Sequence, residues 1–182
     1  IYQTKGWKLV FRQSYEEIIN NLSLASAPIQ VIIGFHDRQL LPRLIEVENG
    51  KRYNLDVAKA KQTSMSANAD VICVLTSDGC LWGNILPNIQ LAFEIIAQDI
   101  VTFSLPDDGK MLLLVYQDGR ISLLSRNSIE ESWATAREHL TSVGWVPEYC
   151  HLWSEPLRLL VGGRGRLQSF LFNELELSVR SF

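Results

Sequence analysis

The sequence predicts a mainly β fold in which small antiparallel sheets repeat along the chain, with one or two added helices, and three observations support this. Apolar residues make up 47% of the 182 residues and charged residues 20%, which excludes wholesale disorder. Apolar runs of strand length alternate with turn dipeptides, above all Asp-Gly. These runs also recur at a nearly constant interval, which is the strongest of the three observations.

Most of the chain divides into short apolar strands joined by turns that tolerate positive φ angles. Each turn with its two flanking runs predicts a β-hairpin. The predicted hairpins place Asn49-Gly50 between 44–47 and 51–57, Asp78-Gly79 between 71–75 and 81–86, Asp108-Gly109 between 101–105 and 111–116, Asp118-Gly119 between 111–116 and 121–124, and 162–165 between 157–161 and 167–172.

Two segments carry helix patterns instead. Each begins with a capping box, Ser14–Glu17 in the first and 128–131 in the second, in which Ser and Glu satisfy free backbone N–H groups. Apolar residues at helical spacing continue through Leu22 in the first segment and from Ile129 to Val143 in the second. The sequence therefore predicts one helix from Ser14 and a helix inserted at 128–143.

The repeat is visible in the apolar strands that precede the turns. They begin near Ile29, Val71, Met111 and Leu157, at intervals of 42, 40 and 46 residues. A period of roughly 40–50 residues with several strands per unit is typical of propeller blades. One small twisted sheet cannot bury both its faces, and stacking such sheets supplies the missing partners. We therefore expect β-propeller-like repeats in a single domain over 1–182, either about four blades or part of a larger propeller.

The segment 99–126, DIVTFSLPDDGKMLLLVYQDGRISLLSR, resembles one blade of the WD-repeat type of β-propeller. A first strand ends in a Pro-Asp-Asp-Gly turn, a buried strand follows, and an Asp-Gly turn leads to a third strand. The segments 155–172 and 70–86 resemble the same unit. No Trp-Asp dipeptide closes a third strand, and no Gly-His pair opens a blade, so the chain departs from the family pattern. The resemblance implies a non-enzymatic platform for protein–protein contacts and carries over no catalytic residue.

Charge and cysteine content narrow the class of protein further. Lys and Arg total 17 against 20 Asp and Glu, a net charge of −3, which disfavours a dedicated nucleic-acid binder. No apolar run is long enough to span a membrane. The three cysteines, Cys73, Cys80 and Cys150, exclude a closed disulfide framework and indicate an intracellular, most simply cytoplasmic, location. The first residue, Ile1, predicts that the chain is part of a longer product or lacks its first residues.

No catalytic, cofactor or metal-binding motif emerges from the sequence. His36 next to Asp37 has the composition of an oriented general base, but its place at the end of an apolar strand favours a turn residue. Cys150 and His151 are adjacent on a predicted strand and should point to opposite faces. The cysteines and histidines lack the close pairs of a zinc site, and 162–166 lacks the ending of a phosphate loop.

The remaining candidates are residues that could contact a protein partner. Trp133 lies in the predicted 128–143 helix, where it either anchors the helix on a blade or serves as a binding hot spot. Arg137 lies on the same segment, and Arg164 and Arg166 lie in or beside the last Gly-rich turn. We expect a non-catalytic protein–protein interaction scaffold, a subunit or segment of a larger assembly. Its partners would be other proteins, including a chain that completes the propeller.

Two alternatives stay open at this point. The hairpin within 32–55 resembles a sandwich hairpin of proteasome-like hydrolases, which would make the chain an α+β enzyme. That family requires an N-terminal Thr, Ser or Cys nucleophile, and residue 1 is Ile. The other alternative is a propeller that binds a small ligand or glycan through its central channel or its turns.

Overall fold

The computed structural model describes residues 2–3, 8–9, 16–26, 29–37, 39–68, 70–85, 93–127, 132–153, 157–172 and 177–181. Every regular element in these ranges is a β-strand. Strands β1 (Tyr2–Gln3) and β2 (Lys8–Leu9) form a short antiparallel pair near the start of the chain. The strands that follow form four sheets of four strands each.

Each of these four sheets is an antiparallel meander, in which consecutive strands lie side by side. Sheet 1 contains β3 (Ile19–Ser26), β4 (Ile29–Phe35), β5 (Arg43–Glu46) and β6 (Arg52–Asn54), and sheet 2 contains β7 (Ala60–Met65), β8 (Val71–Thr76), β9 (Leu81–Ile85) and β10 (Glu94–Ala97). Sheet 3 contains β11 (Ile100–Ser104), β12 (Met111–Tyr116), β13 (Arg120–Asn127) and β14 (Ser132–Ser142), and sheet 4 contains β15 (Tyr149–Trp153), β16 (Arg158–Gly163), β17 (Arg166–Phe172) and β18 (Leu177–Ser181).

The predicted repeat is confirmed, and its four apolar strands are the second strands of the four sheets. They begin at Ile29, Val71, Met111 and Arg158, the last one residue after the predicted start. Their side chains are largely buried, and in β8 all six are. The predicted mainly β fold of blade-like repeats is therefore correct, with one sheet per repeat.

The predicted Gly turns are also confirmed by the backbone. Gly50, Gly79, Gly109 and Gly119 all have φ between 64° and 86°. This left-handed region favours glycine because a Cβ atom would be strained there. The sequence signal was reliable at these points because the turn requires a residue type and not a particular neighbour.

Both predicted helices are wrong over the described residues. Positions from Ile19 onward form β3 and 132–142 form β14, whereas Ser14 and 128–131 lie outside the described residues. The spacing of Trp133 and Leu140 would place both on one side of a helix. Trp133 instead packs with the cluster between sheets 2 and 3, and Leu140 packs with the cluster between sheets 3 and 4. The spacing of these two apolar residues is compatible with one side of a helix. In the structure it places them on opposite faces of a strand, in two separate hydrophobic clusters.

The sheets stack face to face in chain order, and a hydrophobic cluster fills each space between them. A further cluster lies on the far side of sheet 1, on Val31, Ile33, Phe35 and Ile45. Sheets 1 and 2 share Ala25, Ile32, Leu44, Leu55, Val57, Ala60, Met65, Ile72 and Val74; sheets 2 and 3 share Val71, Cys73, Leu75, Leu81, Ile100, Phe103, Leu105, Leu112, Leu114 and Leu124; sheets 3 and 4 share Leu113, Val115, Ile121, Leu123, Leu140, Val143, Leu152, Leu159, Val161 and Phe170.

The α+β alternative does not fit this architecture. The hairpin that suggested it is formed by β4, β5 and β6, which belong to a four-stranded meander. The described residues contain no helix to cover a sheet.

The repeat extends to a backbone irregularity at the start of the first strands. The pairing register shifts after Ile19, Ala60 and Ile100 in sheets 1, 2 and 3, which indicates a β-bulge at the same place in each. Lys59 and Asp99, just before two of these bulges, have φ of 58° and 60°. Three sheets therefore share this backbone geometry although the residues at the bulges differ. The shared bulge allows the first strands of these sheets to be aligned position by position.

Candidate interaction surfaces

The four first strands can be aligned through their pairing with the second strands. One residue of each second strand serves as the reference position for this alignment. In sheets 1 to 3 the side chain of the reference residue packs toward the following sheet. In sheet 4 it is Leu160, whose neighbours Leu159 and Val161 pack toward sheet 3, so Leu160 faces away from sheet 3. The aligned pairs, second strand first, are Ile32 with Ser23, Cys73 with Ser64, Leu113 with Ser104, and Leu160 with His151.

Each sheet thus has a forward face toward the following sheet and a back face toward the preceding one. On the forward face, polar side chains of the first strand bond to the next sheet. Ser23 Oγ accepts a hydrogen bond of 2.9 Å from the backbone N–H of Met65, and Ser104 Oγ accepts one of 3.0 Å from that of Leu152. Between sheets 2 and 3, Gln62 Nε2 donates to the carbonyl of Phe103 at 2.8 Å.

On the back face, the first-strand residues directly before and after the aligned residue have buried side chains in sheets 2 and 3. Phe103 is 0% exposed and Leu105 is 8% exposed in sheet 3. In sheet 4 Leu152 is 1% exposed. The preceding sheet supplies this cover, because these residues belong to the clusters between sheets.

The back face of sheet 1 differs from the others along its first strand. Leu22 and Leu24 occupy the same two positions, yet they are 62% and 50% exposed. They pair with Ile33 and Val31, which lie on the same face and are buried in the cluster on the far side of sheet 1. We call Leu22, Leu24 and the strand positions beside them the back end face.

The forward face of sheet 4 is open as well. Tyr149, His151 and Trp153 alternate along β15 and point to this side, with Tyr149 49% and Trp153 42% exposed. The rings of His151 and Trp153 meet edge to face with centroids 4.2 Å apart. A Cβ at Gly162 would lie 2.1 Å from the Tyr149 ring, so the missing side chain gives the ring room to lie across the sheet. We call Tyr149, His151, Trp153 and Leu160 the forward end face.

Exposed apolar side chains concentrate at these two ends of the stack. Eight large hydrophobic residues of the described part are exposed, and six of them lie on β3, on β15 or directly before β3. Exposed apolar patches of this kind mark interaction surfaces. The eight are Ile18, Ile19, Leu22, Leu24, Ile95, Val146, Tyr149 and Trp153.

The interface between sheets 2 and 3 also carries an ion pair. Arg126 Nη1 lies 2.5 Å from Asp70 Oδ2, and Ser66 Oγ donates to Asp70 Oδ1 at 2.7 Å. Partial burial alone would raise the pKa of Asp70, but the hydrogen bonds of Arg126 and Ser66 and the Arg126 charge outweigh it and lower the pKa. The carboxylate therefore links the turn after β7 to the end of β13.

The four residues predicted to contact a partner lie in two separate places. Trp133 is half-buried on β14 against the cluster between sheets 2 and 3, and Arg137 lies on the same strand opposite Leu123. Arg164 lies in the turn between β16 and β17 with φ of 50° and a side chain 85% exposed, and its Nε is 4.0 Å from a Glu148 carboxylate oxygen.

Arg166, the fourth of these residues, borders a cleft in sheet 4. The cleft has a volume of about 390 Å³ and lies between β17 and the connection that follows β14. Ser142, Val143, Gly144 and Trp145 line its other side. Arg166 is exposed and lies two residues from Arg164, so these two arginines share one end of sheet 4, whereas Trp133 and Arg137 belong to sheet 3.

The residues considered for chemistry do not form a reactive cluster. Cys150 Sγ points toward sheet 3 and lies 4.0 Å from Thr102 Oγ1, whereas His151 points to the opposite face, as adjacent strand residues should. Burial raises the pKa of both Cys73 and Cys150 to about 12, so neither thiol is a ready nucleophile. Exposed His36 donates its backbone N–H to the Ile18 carbonyl. No group of three or more metal-ligating side chains occurs among the described residues.

Comparisons with known proteins give a fold. No family profile and no curated protein matches the sequence. The chain superposes on the N-terminal domain of Nup159 at a TM-score of 0.66 and 11% identity, covering 98% of this chain and 52% of that one. It superposes on the Cps50 (Swd1) β-propeller domain of Myceliophteria thermophila at a TM-score of 0.70 and 9% identity, covering 100% of this chain and 64% of that one. It superposes on a chain of a nidogen–laminin complex at a TM-score of 0.59 and 8% identity, covering 90% of this chain and 64% of that one.

The chain therefore has a divergent β-propeller fold, and its four sheets are blades. It covers 52%, 64% and 64% of the length of these three chains. No helix long and apolar enough to cross a membrane occurs in the described part of the chain.

Proposed function

We propose that this chain is a non-catalytic protein–protein interaction scaffold that works as a segment or subunit of a larger, intracellular propeller assembly. The observation that carries the proposal is the contrast between equivalent positions. Leu22 and Leu24 are half or more exposed, whereas Phe103 and Leu105 at the same positions of sheet 3 are covered. Exposed leucines at blade positions that are elsewhere buried support a role in assembly, because burying them stabilises the assembled state.

The chemistry of the buried groups supports a role without catalysis. Nucleophilic work by cysteine needs a thiolate near neutral pH, and burial raises the pKa of Cys73 and Cys150 to about 12. His151, the imidazole next to Cys150 in sequence, faces the other side of the sheet, and its ring meets Trp153 edge to face. We therefore assign His151 to the interaction surface.

Two arginines of sheet 4 are proposed as a second contact area. Arg164 extends into solvent from a turn, and its nearest carboxylate is at 4.0 Å, so the pair with Glu148 contributes little stability. Arg166 borders the cleft beside Trp145. Arginine beside an aromatic ring is a composition typical of binding hot spots. Trp133 and Arg137 are proposed as contacts on the outer strand of sheet 3.

The proposal is tested by comparing end-face variants with matched interior variants. We expect Leu22→Lys with Leu24→Lys to leave thermal unfolding of the 1–182 chain nearly unchanged and cooperative. The equivalent interior change, Met65→Lys, should unfold the chain or lower its melting temperature strongly, because it places a charge between two sheets. Equal destabilisation by both variants would contradict the proposal, since the end face would then be an interior surface.

A further inference from the structure

We propose that the cleft between β17 and the connection after β14 binds a short acidic segment of a partner protein. A carboxylate side chain of that segment would meet Arg166, and an adjacent apolar side chain would lie against Trp145. This assignment rests on the proposed function and specifies the chemistry of the partner at one site. Three features of the cleft support it: its position, the charge of its lining and the hydrogen-bond donors beside it.

The cleft belongs to the interface between sheets 3 and 4, and both of its walls lie within the described chain. Arg166 is four residues before Phe170 on β17, and Phe170 is buried in the cluster between these two sheets. Arg166 therefore points toward sheet 3, because residues four apart on a strand share a face. The opposite wall is the connection 142–145, which the hydrogen bond of 3.2 Å from the Val143 N–H to the Gly119 carbonyl attaches to sheet 3. The cleft does not depend on any element beyond sheet 4.

The charge of the lining favours an anionic ligand. Among the described residues that line the cleft, Arg166 carries the one charged side chain, and none of them is Asp or Glu. Arg166 forms no ion pair within the described part of the chain. Arg164, two residues away, is 85% exposed, and its carboxylate partner Glu148 is at 4.0 Å. Two cations that are barely neutralised lie together in a chain of net charge −3, so an acidic ligand is attracted here and a basic ligand is repelled.

The connection beside Arg166 adds hydrogen-bond donors. Within the described part of the chain, the backbone N–H groups of Gly144 and Trp145 donate to no acceptor, and neither does the indole N–H of Trp145. A Cβ at Gly144 would have no atom within 4 Å, so the backbone at this point is open. Donors of this kind bind carboxylate oxygens or the carbonyl oxygens of an extended peptide.

The apolar part of the lining favours a peptide over a bare inorganic anion. Val143, Trp145 and Leu167 line the cleft, and Trp145 is half-buried against the cluster between sheets 3 and 4. The cleft volume of about 390 Å³ is within the range of roughly 300–1,000 Å³ that is typical of ligand pockets. A phosphate ion would leave the apolar groups uncovered. A peptide with a large apolar residue next to Asp or Glu covers them and also neutralises Arg166.

The first experiment measures binding of the 1–182 chain to an array of acetylated decapeptides. Each peptide carries one large apolar residue, and the two positions beside it are Glu, Gln or Lys. We expect the Glu peptides to bind at least about tenfold more tightly than the Gln peptides, which is the size of a charge-assisted hydrogen bond. The Lys peptides should not bind. Equal binding of the Glu and Gln peptides, or no binding of either, would overturn the proposal.

Reversing one charge tests whether the cleft is the site. Arg166→Glu should reverse the preference, so that this variant binds the Lys peptides and not the Glu peptides. Arg158→Glu is the matched control, because Arg158 is also an exposed arginine of sheet 4 but pairs with Leu171 at the other end of the sheet. It should retain the preference for Glu. If Arg166→Glu retains that preference, or Arg158→Glu loses it, the carboxylate binds elsewhere and the proposal fails.

A spectroscopic measurement separates a peptide site from a simple anion site. The nuclear magnetic resonance signal of the Trp145 indole N–H should shift on addition of a Glu peptide and stay in place on addition of inorganic phosphate at equal ionic strength. Trp145→Leu identifies the signal and should weaken peptide binding, while circular dichroism shows that the variant remains folded. An equal shift with phosphate would indicate an anion site only and overturn the proposal.

Failure at the cleft and failure of the scaffold role are distinguishable. A folded chain that binds no acidic peptide overturns the assignment of the cleft alone. The comparison of the variant carrying Leu22→Lys and Leu24→Lys with Met65→Lys tests the scaffold proposal separately, because none of these residues lines the cleft.

Discussion

The interface between sheets 2 and 3 and the back end face of sheet 1 use equivalent strand positions with opposite results. Phe103 and Leu105 are 0% and 8% exposed, whereas Leu22 and Leu24 are 62% and 50% exposed. Both strands share the same bulge and the same pairing with a buried second strand. Phe103 and Leu105 are buried because the preceding sheet packs against them, whereas no neighbouring sheet covers Leu22 and Leu24 in the described part of the chain.

The largest expected difference is at the first of these positions. Phe103→Ala should lower the free energy of unfolding by about 3–5 kcal/mol, because it removes a fully buried ring and leaves a cavity. Leu22→Ala should cost less than about 1 kcal/mol in the monomer, because its side chain is largely solvated already. Urea unfolding of both variants at low protein concentration measures the pair. Similar losses for the two would break the comparison.

A second matched pair tests the forward faces. Leu113 is buried between sheets 3 and 4, and Leu113→Ala should cost about 2–5 kcal/mol. Leu160 occupies the equivalent position on the forward end face and is half-buried, so Leu160→Ala should cost roughly 1 kcal/mol. Chemical denaturation again provides the measurement. A loss below about 1 kcal/mol for Leu113→Ala would show that the assignment of this core position is wrong.

The third comparison is between a covered turn and an open one. Gly119 has φ of 82°, and a Cβ there would lie 2.5 Å from the carbonyl oxygen of Val143. Gly50 has φ of 70° with nothing within 4 Å. Gly50→Ala should lower the free energy of unfolding by about 1 kcal/mol, because alanine is strained at this φ angle. Gly119→Ala should lower it by about 2–3 kcal/mol, because the backbone must also move to relieve the close contact. Thermal unfolding of the two variants distinguishes conformational strain from crowding, and a larger loss for Gly50→Ala would refute this explanation.

The smallest expected effect is the pH dependence of the interface between sheets 2 and 3. Because the pKa of Asp70 is lowered in the folded chain, its stabilising contribution is complete above the unfolded pKa of about 3.9 and is lost as pH falls through the folded pKa. Asp70→Asn should cost about 1–2 kcal/mol at neutral pH, a contribution discounted for partial exposure, and should flatten the acid side of the stability profile.

Asp107→Asn is the matched control for the cost of Asp70→Asn at neutral pH. Asp107 is exposed on the turn between β11 and β12, and its backbone carbonyl accepts a hydrogen bond from Ala67 N–H. Asp107→Asn should leave the free energy of unfolding at neutral pH nearly unchanged. If Asp70→Asn and wild type lose stability in parallel below about pH 4, the ion pair with Arg126 does not stabilise the interface.

The sequence predicted the features that depend on residue type at short range. Asp78-Gly79 and Asp118-Gly119 mark turns because glycine tolerates their φ angles, and Leu113 lies in an apolar run that suits a buried strand. The helix expected around Trp133 failed because a spacing of seven fits one side of a helix and also two opposite faces of a strand. Pairing with β13 decided between them.

The end faces could not be found from the sequence alone. The aligned forward position is occupied by Ser23, Ser64 and Ser104 in the first three sheets and by His151 in the fourth. Serine is too common in a strand-and-turn sequence for this recurrence alone to mark the alignment. One of the two exposed leucines, Leu22, lies at helical spacing from Ile18 and Ile19, and this spacing predicts one side of a helix. Whether such residues are covered depends on contacts between sheets that are distant in sequence.

Thiol labelling of Leu24→Cys and Leu105→Cys tests the central claim most directly, because the two cysteines would occupy equivalent positions on different sheets. Peptide mapping by mass spectrometry separates their reaction from that of the three native cysteines. Leu24→Cys should react many times faster than Leu105→Cys, because Leu24 is 50% exposed and Leu105 is 8% exposed. Equal rates would show that the first strand of sheet 1 is covered on its back face and would contradict the account.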